Sequence, residues 1–137
     1  MKLEYLDDIT DNGKFPWADP DRLIRLYDFD QREAQQLIDI LQSTLVNNKE
    51  ALDFSNIGFI ESINCKLRFE IAQTDSGIGI LTLKNDFVCR LTTQAYRQMI
   101  GYMEAFSKGD GSLDGYNWLY DPPENKIDLL FSPGGTW

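Results

Sequence analysis

The chain contains no histidine. That removes the commonest general base, the Ser–His and Cys–His nucleophile arrangements, and the commonest transition-metal ligand. Cysteine is scarce. Only Cys65 and Cys89 offer soft ligands, and they lie far apart in the sequence, which argues against a zinc site. No stretch approaches the roughly 20 consecutive apolar residues of a membrane span. Residues 1–8 lack the apolar run of a signal peptide. The expected compartment is therefore the cytoplasm, where both thiols stay reduced. Positive charge is also short: 13 Lys and Arg against 22 Asp and Glu leave a net charge of −9. Such a surface repels nucleic acid and anionic membrane. It suits either plain solubility or contact with a basic protein partner. The acids are spread along the chain, not gathered in blocks.

The 137 residues correspond to one domain, long enough to bury roughly two-thirds of the unfolded surface without metal or disulfide. The strongest pattern runs from Ile63 to Ile71, where every odd position is apolar and every even one polar or charged. Period 2 predicts a strand with one face on a core and one in water. Residues 78–83 and 87–91 follow after turns at 74–77 and 85–86, and the three are expected to form a meander. Residues 1–20, acidic and broken by Gly13, Pro16 and Pro20, read as an irregular arm, either mobile or tucked onto the body by Phe15 and Trp17. Residues 21–137 read as the domain proper.

Residues 22–29 predict a strand feeding a helix. Asp30 is the expected N-cap and Glu33 the reciprocal residue of a capping box. Ala34, Leu37, Ile38, Leu41 and Leu45 form that helix's apolar stripe. Thr92 or Thr93 caps a second helix with the stripe Tyr96, Met99, Ile100, Met103 and Phe106. Two strands, 116–120 and 127–131, complete a hairpin across the break at Pro122-Pro123. The predicted fold is α+β: a single, mostly antiparallel sheet of about six strands, in chain order β-α-β-β-β-α-β-β, with two helices packed on one face.

Candidate sites are few. Asp110, Ser112 and Asp114 stand at positions 1, 3 and 5 of a loop with Gly115 at position 6 and Asp121 at position 12. This resembles the calcium loop of EF-hand proteins, in which oxygens wrap a hard cation and glycine allows the sharp turn. The resemblance covers twelve residues and implies calcium as the one cofactor to consider. Ser112 is neutral, Asp121 is shorter than the usual glutamate, and Pro122-Pro123 follows where that motif continues as a helix. The alternative is a plain polar loop. Asp28 and Asp30 form the most credible carboxylate pair, although Asp30 is accounted for as a cap. Cys65 and Cys89 both fall on apolar faces. On the first and third strands of a meander they would be about 9.6 Å apart, too far for a disulfide.

The even face of the first meander strand carries Lys66, Arg68 and Glu70, and Arg90 joins it from the third. With helices on one side only, this open face, together with Trp118 and Trp137, is the expected partner surface. Salt bridges across the sheet would account for the same charges without a ligand. The leading expectation is a non-catalytic acidic binding module of cytoplasmic, bacterial type that meets a basic protein, as an inhibitor or immunity protein would. The alternative is a small carboxylate-dependent enzyme with a divalent cation at the 110–121 loop. Self-association through the open sheet face is a third reading.

Overall fold

The computed structural model describes residues 1–18, 20–109, 113–124 and 127–137. The chain is α+β, but its strands form two sheets instead of one. Its elements run β1 (Lys2–Leu6), β2 (Leu23–Tyr27), α1 (Gln31–Leu41), β3 (Leu52–Asp53), β4 (Glu61–Ser62), β5 (Lys66–Ile71), β6 (Gly77–Ile80), β7 (Asp86–Leu91), α2 (Thr93–Met103), β8 (Asn117–Tyr120) and β9 (Asp128–Phe131). The five-stranded sheet has the order β4-β1-β2-β9-β8, and the four-stranded sheet β3-β5-β7-β6. Three pairs are parallel: β1 with β4, β2 with β9, and β5 with β7.

The expected meander is the main correction. β5 pairs directly with β7, and β6 lies on the outer edge, antiparallel to β7. Side-chain content explains the exchange. On β7, Phe87, Cys89 and Leu91 are buried toward the core and Val88 is buried on the other face. A strand buried on both faces belongs inside a sheet. β6 alternates glycine with isoleucine, so one of its faces carries no side chains. The link between β5 and β6 passes over the end of β7, where the Ala72 amide donates to Leu91 O (2.9 Å) and the Ser76 amide to Arg90 O (2.9 Å).

β1 is the second correction, because residues 2–6 form a strand where an irregular arm was expected. Leu3 and Tyr5 point inward and are buried, the period-2 requirement for a half-buried strand. Between β1 and β5 the chain changes sheets. β4 pairs with β1 through Glu61 and Ser62, and the Ile63 amide still donates to Leu3 O (2.9 Å). At the next residue the side chain takes over. The Tyr5 amide donates to Asn64 Oδ1 (2.8 Å) and Asn64 Nδ2 donates to Tyr5 O (2.8 Å). The backbone is thus released to begin β5 in the other sheet.

Both helices follow their sequence signals. Asp30 caps α1, with Glu33 closing the capping box, and a π-helical turn over Gln42–Asn47 extends it. Thr92 caps α2. Every residue of the two predicted stripes is buried. One continuous core joins these stripes to the inward faces of both sheets. Aromatic pairs knit it: Tyr5 with Phe87 across the two sheets (4.6 Å between ring centres), Phe29 stacked on Phe131 (4.1 Å), and Phe69 against Tyr96 (5.3 Å). The Tyr96 hydroxyl lies 2.9 Å from both Glu70 O and Cys89 O, so α2 is tied to the ends of β5 and β7.

Residues 132–137 run back along part of the outer face of the five-stranded sheet, meeting Arg25, Tyr27 and Trp118. Glu4, Arg25, Leu130 and Trp118 form one row across it. Arg25 binds Glu4 (Nε, 2.8 Å), donates to Gly135 O (2.7 Å) and lies over the Tyr27 ring at 4.3 Å. Gly135 has φ +74°, and a Cβ there would sit 3.0 Å from Tyr27, so this close approach requires glycine.

Two stability effects follow. Tyr96→Phe removes the one donor shared by two carbonyls and should cost about 1–3 kcal/mol, read as a lower urea midpoint at unchanged slope. Asn64→Ala, at a more exposed position, should cost about 1 kcal/mol. Asn64→Asp should cost at least as much, because a carboxylate would face Tyr5 O. Equal midpoints for wild type and Asn64→Ala would show that the side-chain bridge does not hold the sheet change.

Candidate functional site

The expected partner face divides into separate places. Arg68 Nε and Arg90 Nε each lie 3.0 Å from a different Glu70 oxygen. Burial pulls the Glu70 carboxyl upward, but the hydrogen bonds from Arg90 and Arg68 outweigh it and hold the group below its ordinary value. These three residues satisfy one another. Lys66 is at the far end of the same strand, where it lines a separate shallow pocket with Asn64, Lys84 and Asn85. Trp118 lies on β8 of the other sheet, in ring contact with the C-terminal Trp137 at 6.3 Å and with Tyr116 at 6.1 Å.

The carboxylate pair is also accounted for. Asp30 is the α1 cap, and Asp28 pairs with Lys2 Nζ at 2.8 Å. In the calcium-like loop, Asp110 and Ser112 lie outside the described residues. Positions 117–120, which such a loop would curl round an ion, are the extended strand β8. Asp114 is exposed, and Asp121 lines a pocket between α2 and β8. Among the described residues, no three acidic or thiol groups come together in a way that could hold a metal ion.

The thiols are inert. Burial pushes Cys65 and Cys89 each up to about 12, so neither is a thiolate near neutral pH. Both are free. Their separation has a different origin from the one expected. Cys89 pairs with Phe69 on the adjacent strand, which puts Cys65 four residues along the ladder, about 13 Å away.

The loop from Asp7 to Asp21 was expected to be either mobile or tucked onto the body by Phe15 and Trp17. Phe15 and Trp17 do not tuck it onto the body. Trp17 is 76% exposed and Phe15 40%, and their rings meet edge to face at 5.8 Å. Its described residues are tied together by their own bonds. The Ile9 amide donates to Asp21 O (3.1 Å) and the Phe15 amide to Thr10 O (2.8 Å). Asp8 organises the tip: it accepts from the amides of Thr10 (2.9 Å) and Asn12 (2.7 Å) and from the Thr10 hydroxyl. The chain then turns through three left-handed residues, Asp11 (φ 54°), Asn12 (φ 57°) and Gly13 (φ 81°). Asp, Asn and Gly are the residue types that tolerate this conformation. Lys14 closes the turn, 3.2 Å from Asp11 and 5.2 Å from the Phe15 ring.

Residues 7–21 carry five aspartates and one lysine. Over its described residues this acidic loop has a bonded tip and presents two aromatic side chains to solvent. The available signal in the sequence was the pairing of aromatics with dense acid. Whether an aromatic in such a stretch is anchor or hook depends on backbone geometry that composition does not encode. No protein-family model matches this chain, and no curated protein matches its sequence. Among the described residues, no helix is long and apolar enough to cross a membrane.

Loop order should depend on pH. Hydrogen bonds from Thr10 and Asn12 hold the Asp8 carboxyl below its ordinary value. A depressed folded-state pKa means that the stabilisation is fully present above the ordinary value of about 3.9 and is lost as pH falls through the lowered one. In an NMR titration, the Thr10 and Asn12 amides should shift with the Asp8 carboxyl. Asp8→Ala should produce the loosened state at neutral pH.

Proposed function

We propose that the protein is a non-catalytic binding module that engages a basic protein partner through the 7–21 loop, in the manner of an inhibitor or immunity protein. The observation that carries this reading is the exposure of Trp17 and Phe15 next to a loop tip held by Asp8 and by the Phe15–Thr10 and Ala18–Phe15 backbone bonds. Tryptophan is enriched among the side chains that dominate interface energetics, and truncating such anchors commonly costs 2 kcal/mol or more of binding, about thirtyfold. Preorganisation lowers the ordering cost of association. The surrounding aspartates would speed encounter with a cationic surface and reject anionic ones. The inert thiols, the self-paired Arg68–Glu70–Arg90 group and the capping role of Asp30 support the same reading.

The test is affinity capture from native lysate on immobilised wild type, Trp17→Ala and a loop variant with Asp7 and Asp11 changed to asparagine. A basic protein should be retained by wild type and released by rising salt. Trp17→Ala should weaken retention at least tenfold. The asparagine variant should chiefly slow association and flatten the salt dependence. No retained protein above background, or retention indifferent to salt, would overturn the proposal.

A further inference from the structure

At the opposite end of β7 from the loop is a pocket of about 220 Å³ that includes Asp75, Gln98, Tyr102, Leu119, Tyr120 and Asp121. Its placement follows from the chain's path. Asp75 belongs to the link that passes over the end of β7, and its Oδ1 is fixed by the Thr92 amide at 2.7 Å, which leaves Oδ2 unengaged by that bond. Gln98 and Tyr102 come from α2, four residues and so about one turn apart on one helix face. Tyr120 and Asp121 follow at the end of β8. Leu119, buried, supplies an apolar floor.

Two tyrosines, Tyr102 and Tyr120, and two carboxylates, Asp75 and Asp121, are thus among the residues that line it. Burial is the main cause that raises the Tyr120 hydroxyl's pKa, and Cys89, Asp75 and Glu124 add to it. None of Asp75, Asp121 and Glu124 makes an ion pair among the described residues. A hard metal ion is a poor occupant, because among the described residues no three acidic or thiol groups gather here and such ions want close-packed oxygens. A broad, delocalised cation fits better. A guanidinium is planar, weakly hydrated, able to bridge two separated carboxylates through its fork, and able to stack on aromatic faces.

We propose that this pocket binds a guanidinium group. The group can come from an arginine in a partner's chain or from a free guanidinium compound. The site is separate from the acidic loop, and it stands or falls without the loop's function.

The test is NMR titration of amide signals with three probes: N-acetyl-arginine amide, N-acetyl-lysine amide, and a blocked Gly-Gly-Arg-Gly-Gly peptide. Saturable shifts are expected at Ala95, Gln98, Tyr102 and Tyr120, with arginine at least fivefold tighter than lysine. Asp75→Asn and Asp121→Asn should each weaken binding about fivefold or more. Asp75→Asn keeps the Oδ1 acceptor for the Thr92 amide, so the fold is retained, and the dispersion of the free spectra verifies it. Tyr102→Ala should weaken binding through lost stacking, and Trp17→Ala should leave it unchanged. A pentapeptide tighter than the single amide points to a protein source, and equal affinities point to a small guanidinium compound. Absence of saturation, equal binding of lysine, or unaltered binding in the Asp75→Asn/Asp121→Asn double variant would each overturn the assignment.

Discussion

The side-chain amide of Asn64 stands at the point where the chain changes sheets. β1 needs hydrogen-bonding partners along its outer edge, and β5 must belong to a different sheet. The chain between them meets both demands within a few residues. Glu61 and Ser62 pair with β1 as backbone, Ile63 adds one more bond, and Asn64 then substitutes its own amide for the missing strand. An amide side chain carries the same donor and acceptor as a peptide unit, so Tyr5 remains satisfied while the backbone departs. Tyr5 then turns its ring onto Phe87 in the other sheet. The junction that separates the sheets is thus also where they are packed together.

This junction explains why the clearest pattern in the sequence misled. Alternation from Ile63 to Ile71 is unbroken, yet the strand begins only at Lys66, and Ile63 is exposed. Period 2 reports which way side chains point. It carries no information about which strand lies alongside, and so none about a change of sheet. The same limit applies to β5 and β7. The burial of Leu67, Phe69, Cys89 and Leu91 follows from alternation, but their parallel adjacency is set by a loop that crosses the end of β7. The helices were legible in full because their determinants are local: a cap, a reciprocal Glu33, and stripes at spacings of three and four. β1 was legible in principle from Leu3 and Tyr5, but five residues beside an acidic, proline-broken stretch give a short signal.

The candidate site was legible only in composition. The acid-rich segment with Phe15 and Trp17 is plain in the sequence, whereas its outward orientation depends on a left-handed turn at residues 11–13 and on bonds to Asp8. Of the expected charged face, Arg68, Glu70 and Arg90 share one side of the four-stranded sheet, while Lys66, Trp118 and Trp137 lie elsewhere. Those three charges then neutralise one another locally, which a linear reading cannot separate from a surface waiting for a partner. Trp118 stands on the other sheet, where Trp137 of the C-terminal tail meets it and stays half exposed.

The acidity itself has two layers. Several aspartates build the backbone: Asp8 fixes a loop tip, Asp30 caps α1, Asp53 accepts from the Ser55 amide, and Asp75 holds the start of α2. Aspartate is favoured in these positions because its short carboxylate reaches a nearby amide. Part of the net charge is therefore a consequence of how the turns are made. Yet a carboxylate that accepts on one oxygen still presents negative charge on the other, at a position the fold has fixed. Asp75 makes the point: its bond to Thr92 serves the helix and also orients the rim of the pocket beside Tyr120. Turn chemistry and recognition chemistry can share the same residues here. Net charge alone therefore could not separate a solubility role from a binding one, and the separation rests on where each second oxygen points.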